Sequence, residues 1–424
     1  ARNEAFTYEY TGSNLNSANI QQTINRVFDK ACGITSSPVE GDYLRYHLTY
    51  IKWSFRYTST KAEITWSIQY ASDAAREQTM KSRIQSAVAG LSLTYDSDVV
   101  KIKKIHDYIC KNVMYYSDGT WNSHSAYSAL VDKRAVCQGY ATLFYAMCKQ
   151  AGVGVRCVSG NSNGQSHLWN LVKIENSWYN LDATWDSVKS GVSYNYFLKS
   201  DKDFKGHIRD MEYTTVDFHS QCPMSAVSYS GAVGTPVLKS AVSAGSTRIK
   251  LSWSKVGTAE GYYIYYAVGS GGAYKKLKTV RGGAYNSLNI SGLVPGKTYY
   301  FKIRAYSGVF GDCVSGDSGV KSARPRPEKV GKPSVTAQKG ALKVKWKTVE
   351  DVKGYDIVIT YKRGGETFKK KVTVRASSKK RQSKKVKNLP HGAVCKVKVR
   401  AFTSGANGGS VYGNYSQTRR KPVK

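Results

Sequence analysis

The sequence predicts a multidomain protein: an α+β domain over residues 1–228, then two all-β immunoglobulin-like sandwiches over residues 233–325 and 329–424. Helical spacing and strand alternation are mixed up to about residue 228, and only short alternating strands follow. Landmarks also recur: Pro236, Trp253, Gly261-Tyr262-Tyr263-Ile264 and Leu293-Val294-Pro295-Gly296 return as Pro333, Trp346, Gly354-Tyr355-Asp356-Ile357 and Leu389-Pro390-His391-Gly392. Those offsets of about 95 residues match one β-sandwich per copy. A chain of 424 residues with 41% apolar content can bury several cores.

In the first domain, Ala18 to Ala31 carries Ile20, Ile24, Val27 and Phe28 at helical spacing, with Asn16 or Ser17 as its cap. Tyr43 to Tyr57 and Ala62 to Tyr70 alternate polar and bulky residues around Thr58-Ser59-Thr60, as in a hairpin. Ser72 to Ala89 and Asp98 to Val113 read as helices, the second with Ile102, Ile105, Ile109 and Val113 on one side. His106, beside that stripe, reads as a structural histidine, packed or exposed. A polar turn at Ser117 to Ser123 follows, and Tyr194-Asn195-Tyr196-Phe197-Leu198 reads as a last core segment.

Between these lie a Cys, a His and an Asp. After Cys137 the apolar Tyr140, Leu143, Phe144 and Met147 recur at three- and four-residue steps, which puts Cys137 in the first turn of a buried helix. Free N–H groups and the positive dipole end there favour a thiolate, the nucleophilic form. Leu168 to Ile174 and Trp178 to Ala183 read as strands joined at Glu175-Asn176-Ser177. A two-residue loop pairs Trp169 with Asp182 and His167 with Thr184, so that His167 and Asp182 share a face as diagonal neighbours. A three-residue loop puts them on opposite faces.

The runs Cys137-Gln138-Gly139-Tyr140-Ala141, His167-Leu168-Trp169-Asn170 and Trp178-Tyr179-Asn180-Leu181-Asp182-Ala183-Thr184-Trp185 together resemble the transglutaminase-like superfamily, a branch of the papain-like cysteine enzymes. Lys104 to Val113 is similar to the helix that precedes the core in that family. The resemblance spans roughly residues 95–200. It implies a papain-like core in which Cys137 is nucleophile, His167 its base and Asp182 the orienter of the imidazole, with acyl transfer through a thioester. A lysine acceptor gives an isopeptide cross-link, water gives deamidation, and attack on a peptide bond gives proteolysis. The Cys137 N–H is a candidate oxyanion donor, with Trp121 or Tyr127 as the second. Some members have lost the triad and act as non-catalytic scaffolds; this chain keeps all three residues.

Eukaryotic transglutaminases need calcium, but no EF-hand pattern or dense acidic loop occurs here beyond Asp201 and Asp203, so no metal and no cofactor is expected. The eight cysteines show no zinc spacing and no disulfide framework, and a bridge from Cys32 to another upstream cysteine stays unassigned.

The first sandwich resembles a fibronectin type III module, with Trp253 as its core Trp and Leu293-Val294-Pro295-Gly296-Lys297-Thr298-Tyr299 as its tyrosine corner. In the second, Cys395 stands where Tyr299 stands. Ala323-Arg324-Pro325-Arg326-Pro327 makes a short, stiff linker.

Net charge is +35, unevenly spread: residues 326–424 hold 27 Lys and Arg against five Asp and Glu, a net +22. Such a field attracts polyanions. No nucleic-acid motif accompanies it, so an anionic cell-wall polymer or glycan is the expected partner, beside a protein or peptide substrate. No apolar run is long enough to span a membrane. No basic and apolar leader opens at Ala1, as at a mature or trimmed terminus. With 32 Tyr and nine Pro, the composition suits a secreted or cell-surface bacterial protein. The sandwiches are expected to localise the enzyme and to be removable near residue 230.

Overall fold

A computed structural model describes residues 2–189, 191–405 and 408–424. The first domain opens with a strand that sequence reading missed, Arg2–Thr11, which pairs antiparallel with Lys61–Tyr70; that strand pairs in turn with Leu48–Tyr57. Helix Ser17–Ala31 lays Ile20 and Ile24 on Ala62, Ile64 and Trp66 of this sheet. Of the two proposed caps, Asn16 serves: its side chain accepts from Asn19 N at 3.0 Å, and the Asn19 side chain accepts from Asn16 N at 2.9 Å.

One expected strand is corrected. Residues 42–47 form a helix, Asp42–His47, ahead of the strand. Its buried first residue decides this, because Asp42 accepts from Arg156 Nε and from Cys157 N, both at 2.8 Å. An ion pair and a backbone bond to a neighbouring strand outweigh local alternation.

Helices Asp98–Asn112 and Cys137–Gln150 form the centre of the domain. The second is buried from Gly139 to Cys148, as a helix needs to be that is apolar nearly all round. It packs on a four-stranded sheet in the order His207–Arg209, Val155–Ser162, Gln165–Ile174, Ser177–Leu181.

Each sandwich pairs a three-stranded with a five-stranded sheet in matching strand order. The repeated Trp and Tyr meet edge-on in both copies, Trp253 with Tyr262 at 5.4 Å and Trp346 with Tyr355 at 5.2 Å. Each tyrosine hydroxyl accepts from a loop amide, Val256 N at 3.0 Å and Val349 N at 2.9 Å. The tyrosine corner is present in the first copy, where Tyr299 OH accepts from Val294 N at 2.9 Å. In the second, Cys395 is buried in the core as a small apolar side chain.

The first sandwich is not simply tethered. Val309, from its last long hairpin, is buried within the core of the first domain. Phe310 lies against Phe197 and Tyr229, each at 5.7 Å, and Tyr194 at 6.3 Å. Tyr95 stacks on Tyr285 at 4.6 Å, and Ala284 N donates to Tyr95 O at 3.0 Å. The expectation of clean removal near residue 230 overlooked this apolar plug. Residues 1–230 produced alone should therefore unfold at lower temperature than the same domain in the full chain. Phe310→Ala should cost roughly 1–3 kcal/mol, less than the about 3–5 of a fully buried Phe because the ring is 40% exposed. Calorimetry of the first transition checks both, and an unchanged midpoint would show that the plug contributes nothing.

Candidate active site

Cys137 is the first residue of helix Cys137–Gln150, after an extended Val136. Its N–H belongs to the first turn and has no intrahelical acceptor. Gly139 allows the chain to pass close by: a Cβ there would lie 2.6 Å from Ala135 Cβ and 2.9 Å from Ser125 O. Asn170 fixes the neighbouring strand on the helix, its Nδ2 donating to Ala141 O at 3.1 Å and to Arg156 O at 3.3 Å.

The hairpin has the even loop. Ile174 pairs with Ser177 across Glu175-Asn176, and the register runs to Asn170 opposite Leu181. The strand is shorter than expected, because Ala183–Asp186 is a helical turn capped by Asp182. Thr184 thus does not pair with His167. The cap instead brings the carboxylate to the imidazole: Asp182 Oδ1 accepts from Thr184 N at 2.8 Å and Trp185 N at 3.3 Å, while Oδ2 stands 2.7 Å from His167 Nε2.

His167 Nε2 donates to Asp182, since a carboxylate only accepts. That leaves Nδ1 for the Cys137 side chain, with which the ring also interacts. Burial works against an imidazolium at His167, but Asp182 and Cys137 together outweigh it and raise the pKa to about 10. Burial likewise works against the Asp182 carboxylate, and hydrogen bonds from His167 and His207 overcome it, lowering its pKa to about 2.

His207 escaped sequence reading. Its Nε2 donates to the same Asp182 Oδ2 at 3.1 Å, and its Nδ1 lies 3.1 Å from Lys205 O. Phe204, Trp185, Trp169 and Tyr196 surround the ring at 4.1 to 5.5 Å. The strand that carries it closes against Gly160, opposite His167, where a Cβ would lie 2.0 Å from Ile208 O. His167, Asp182 and His207 offer ligand atoms within 4.8 Å of one another, the donor set of a metal site. The 2.7 Å contact is shorter than the roughly 3.3 Å that separates two ligands on one tetrahedral zinc with bonds of about 2.0–2.1 Å. The set is arranged as hydrogen bonds to a shared carboxylate.

Both proposed second oxyanion donors lie on the segment that leads into the Cys137 helix, whose His124 Nδ1 stands 3.3 Å from Oε1 of Gln138, the neighbour of Cys137. Trp121 is 50% exposed, 5.0 Å from the His124 ring, and Tyr127 packs on the core with Arg76 over its ring at 5.3 Å. Tyr115, like Tyr196, is a further tyrosine near the site. Its strand Met114–Tyr115 pairs it with Ala135, and burial, then the negative charges of Cys137 and Asp182, raise its pKa. All eight cysteines are free, which leaves Cys32 without a bridge. Of the two structural readings of His106 the packed one holds: it is buried, its Nε2 3.1 Å from Asp186 Oδ2, and this bond ties helix Asp98–Asn112 to the turn that Asp182 caps.

Residues 85–183 match the transglutaminase-like superfamily, and residues 235–314 match the fibronectin type III domain. The kyphoscoliosis peptidases of Mus musculus and Homo sapiens are each 30% identical to this chain, over 151 and 143 residues. Those stretches are 31% and 29% of this chain and 23% and 22% of the relatives, so the match spans less than a quarter of the curated relatives' length. Among solved structures, a two-domain fibronectin type III segment of chicken tenascin covers 45% of this chain and 99% of its own, at 18% identity and a TM-score of 0.29. No helix among the described residues is long and apolar enough to cross a membrane.

Two outcomes follow from the shared carboxylate. Asp182→Asn should bring the His167 titration midpoint down from about 10 toward the ordinary value near 6.5, as read from imidazole NMR shifts. Because the folded value is the raised one, the stability this contact adds is full below about pH 6.5 and is lost as pH rises through about 10. The lowered Asp182 value adds stability that is full above about pH 4 and is lost as pH falls through about 2. His207→Phe, which keeps the aromatic packing and removes one donor, should change the His167 midpoint with little loss of thermal stability. An unmoved midpoint would make His207 a packing residue only.

Proposed function

We propose, from the transglutaminase-like core that residues 85–183 form, that this protein catalyses cysteine-dependent acyl transfer on protein or peptide carboxamides. The observation that carries the reading is His167 held between a buried carboxylate and the Cys137 side chain. In the proposed cycle the Cys137 thiolate, paired with the His167 imidazolium, attacks a glutamine carboxamide carbon. His167 gives its proton to the departing ammonia, and a thioester remains on Cys137. An amine then attacks the thioester, returning a proton to His167 and leaving an isopeptide bond; water in its place leaves the free acid. Asp182 keeps Nε2 protonated and the ring aimed. The Cys137 N–H is the proposed oxyanion donor, with Tyr115 beside it.

Peptide-bond hydrolysis is the second reading, favoured by the peptidase names of the two mammalian relatives. It uses the same residues with an amine leaving group. The domain limits 1–228, 233–325 and 329–424 belong to the same proposal, as do a bacterial secreted or cell-surface location and an anionic wall polymer or glycan held by the last sandwich.

The test is a glutamine donor peptide offered with a labelled amine. Amine incorporation supports transfer, free acid supports deamidation, and chain cleavage supports the peptidase reading; none of the three would defeat an enzymatic role. Iodoacetamide at neutral pH should modify Cys137 first, because burial raises the pKa of Cys148 and Cys157 well above the ordinary range. Asp182→Asn should lower turnover by about 10^4, as in the serine-protease analogue, and near wild-type turnover would remove Asp182 from the mechanism.

A further inference from the structure

The positive charge of the last sandwich is divided unequally between its two sheets. Its three-stranded sheet runs Ser334–Gln338, Ala341–Lys347, Arg381–Lys387. On the middle strand Leu342, Val344 and Trp346 point into the core, so Lys343, Lys345 and Lys347 point out. Opposite them, Lys385 faces Lys343, Ser383 faces Lys345 and Arg381 faces Lys347, while Lys387 faces Ala341. On the other flank Thr336 and Ser334 face Lys343 and Lys345. Six cations thus share one sheet face. The five acids of residues 326–424 are Glu328, Glu350, Asp351, Asp356 and Glu366, and none lies on these strands.

Like charges directly opposite one another destabilise a sheet, yet here two such pairs, Lys343 with Lys385 and Lys347 with Arg381, stand in register. Two comparisons within the molecule show that the fold does not demand this. On the outer face of the five-stranded sheet one such pair, Lys396 with Arg420, also stands in register, but buried Asp356 neutralises part of that face, at 3.0 Å from both Lys371 Nζ and Arg400 Nη2. On the equivalent three-stranded sheet of the first sandwich, Lys250 stands among Ser252, Ser287 and Asn289.

The geometry defines the ligand. Same-face side chains recur every ~6.8 Å along a strand, and neighbouring strands lie ~4.8 Å apart. Lys343, Lys345 and Lys347 therefore form one row of charges, with Lys387, Lys385 and Arg381 in a second row beside it. We propose that this face binds an extended polyanion, with one phosphodiester or sulfate group about every 7 Å, laid along the two rows. The proposal rests on the reading of the last sandwich as a polyanion-binding module and gives it a site. The outward positions hold no aromatic side chain, whereas single-stranded nucleic acid is usually held by base stacking as well as charge.

The experiment uses the full chain with poly(glycerol phosphate), heparin and an oligothymidylate as probes. Two variants lose equal charge: K343Q/K345Q/K385Q/K387Q on the proposed face, and K362Q/K369Q/K396Q/K398Q on the five-stranded sheet. The first should weaken binding of the phosphodiester or sulfated probe by 10-fold or more. It should also flatten the dependence of log affinity on log salt by about three, as four lost counterion-releasing contacts require. The second should weaken binding by no more than about 3-fold. The first should melt no lower than the parent, since it removes like-charge pairs. Equal weakening by both variants would overturn the face in favour of diffuse charge. Tightest binding to the oligothymidylate would overturn the ligand class. If the parent chain retains none of the three probes, the polyanion reading itself fails, a result distinct from either.

Discussion

The first domain is built around one carboxylate that has been taken out of water. Asp182 is 1% exposed, and a buried charge persists only where hydrogen bonds and opposite charge replace its hydration. Four donors do so: two amides of the turn that it caps, and two imidazoles from the strands that flank Val155–Ser162. Each donor imposes a local requirement. The amides require the strand to stop at Leu181, His167 requires an even hairpin loop, and His207 requires its strand to close over Gly160. The hydrogen bonding that satisfies Asp182 is also what turns His167 Nδ1 toward Cys137.

Local pattern made half of this site legible. Cys137 stood at the start of an apolar helical repeat, and the spacing across Glu175-Asn176 put His167 and Asp182 on one face under an even loop. The role of Asp182 as a helix cap was also written locally, in Asp-Ala-Thr-Trp, but the β-rich residues around it favoured reading the strand onward. His207 had no such mark. It lies 25 residues beyond Asp182 in the chain, and its position depends on a third strand pairing across Val155–Ser162. The nearest signal was compositional, in the aromatic residues Tyr196 and Phe204 that later enclose it. Asp42 was hidden for the same reason, its partner Arg156 being 114 residues away. Periodicity reports which face of an element is buried and is silent on which distant polar group will be buried beside it.

The two sandwiches separate what the fold requires from what has been added to it. Both copies keep the Trp, the Tyr whose hydroxyl holds a loop amide, and the strand order, so these belong to the core. The tyrosine corner is kept in one copy only, and the buried Cys395 shows that its place can be filled by apolar volume alone. Charge follows neither core nor repeat. It differs between copies on structurally equivalent faces, so the fold does not require it.

The plug formed by Val309 and Phe310 changes how the domains are to be regarded. Phe310 lies on Phe197, Phe197 lies 4.8 Å from the His106 ring, and His106 bonds to Asp186, the last residue of the turn that Asp182 begins. Each contact in this series is packed or hydrogen-bonded, and His106 and Asp186 are fully buried, so the series runs unbroken from Phe310, its partly exposed end, to the turn. The turn that aims Asp182 is therefore braced from behind by a side chain of the first sandwich. The second sandwich, whose charge faces outward, has no comparable insertion into the first domain among the described residues.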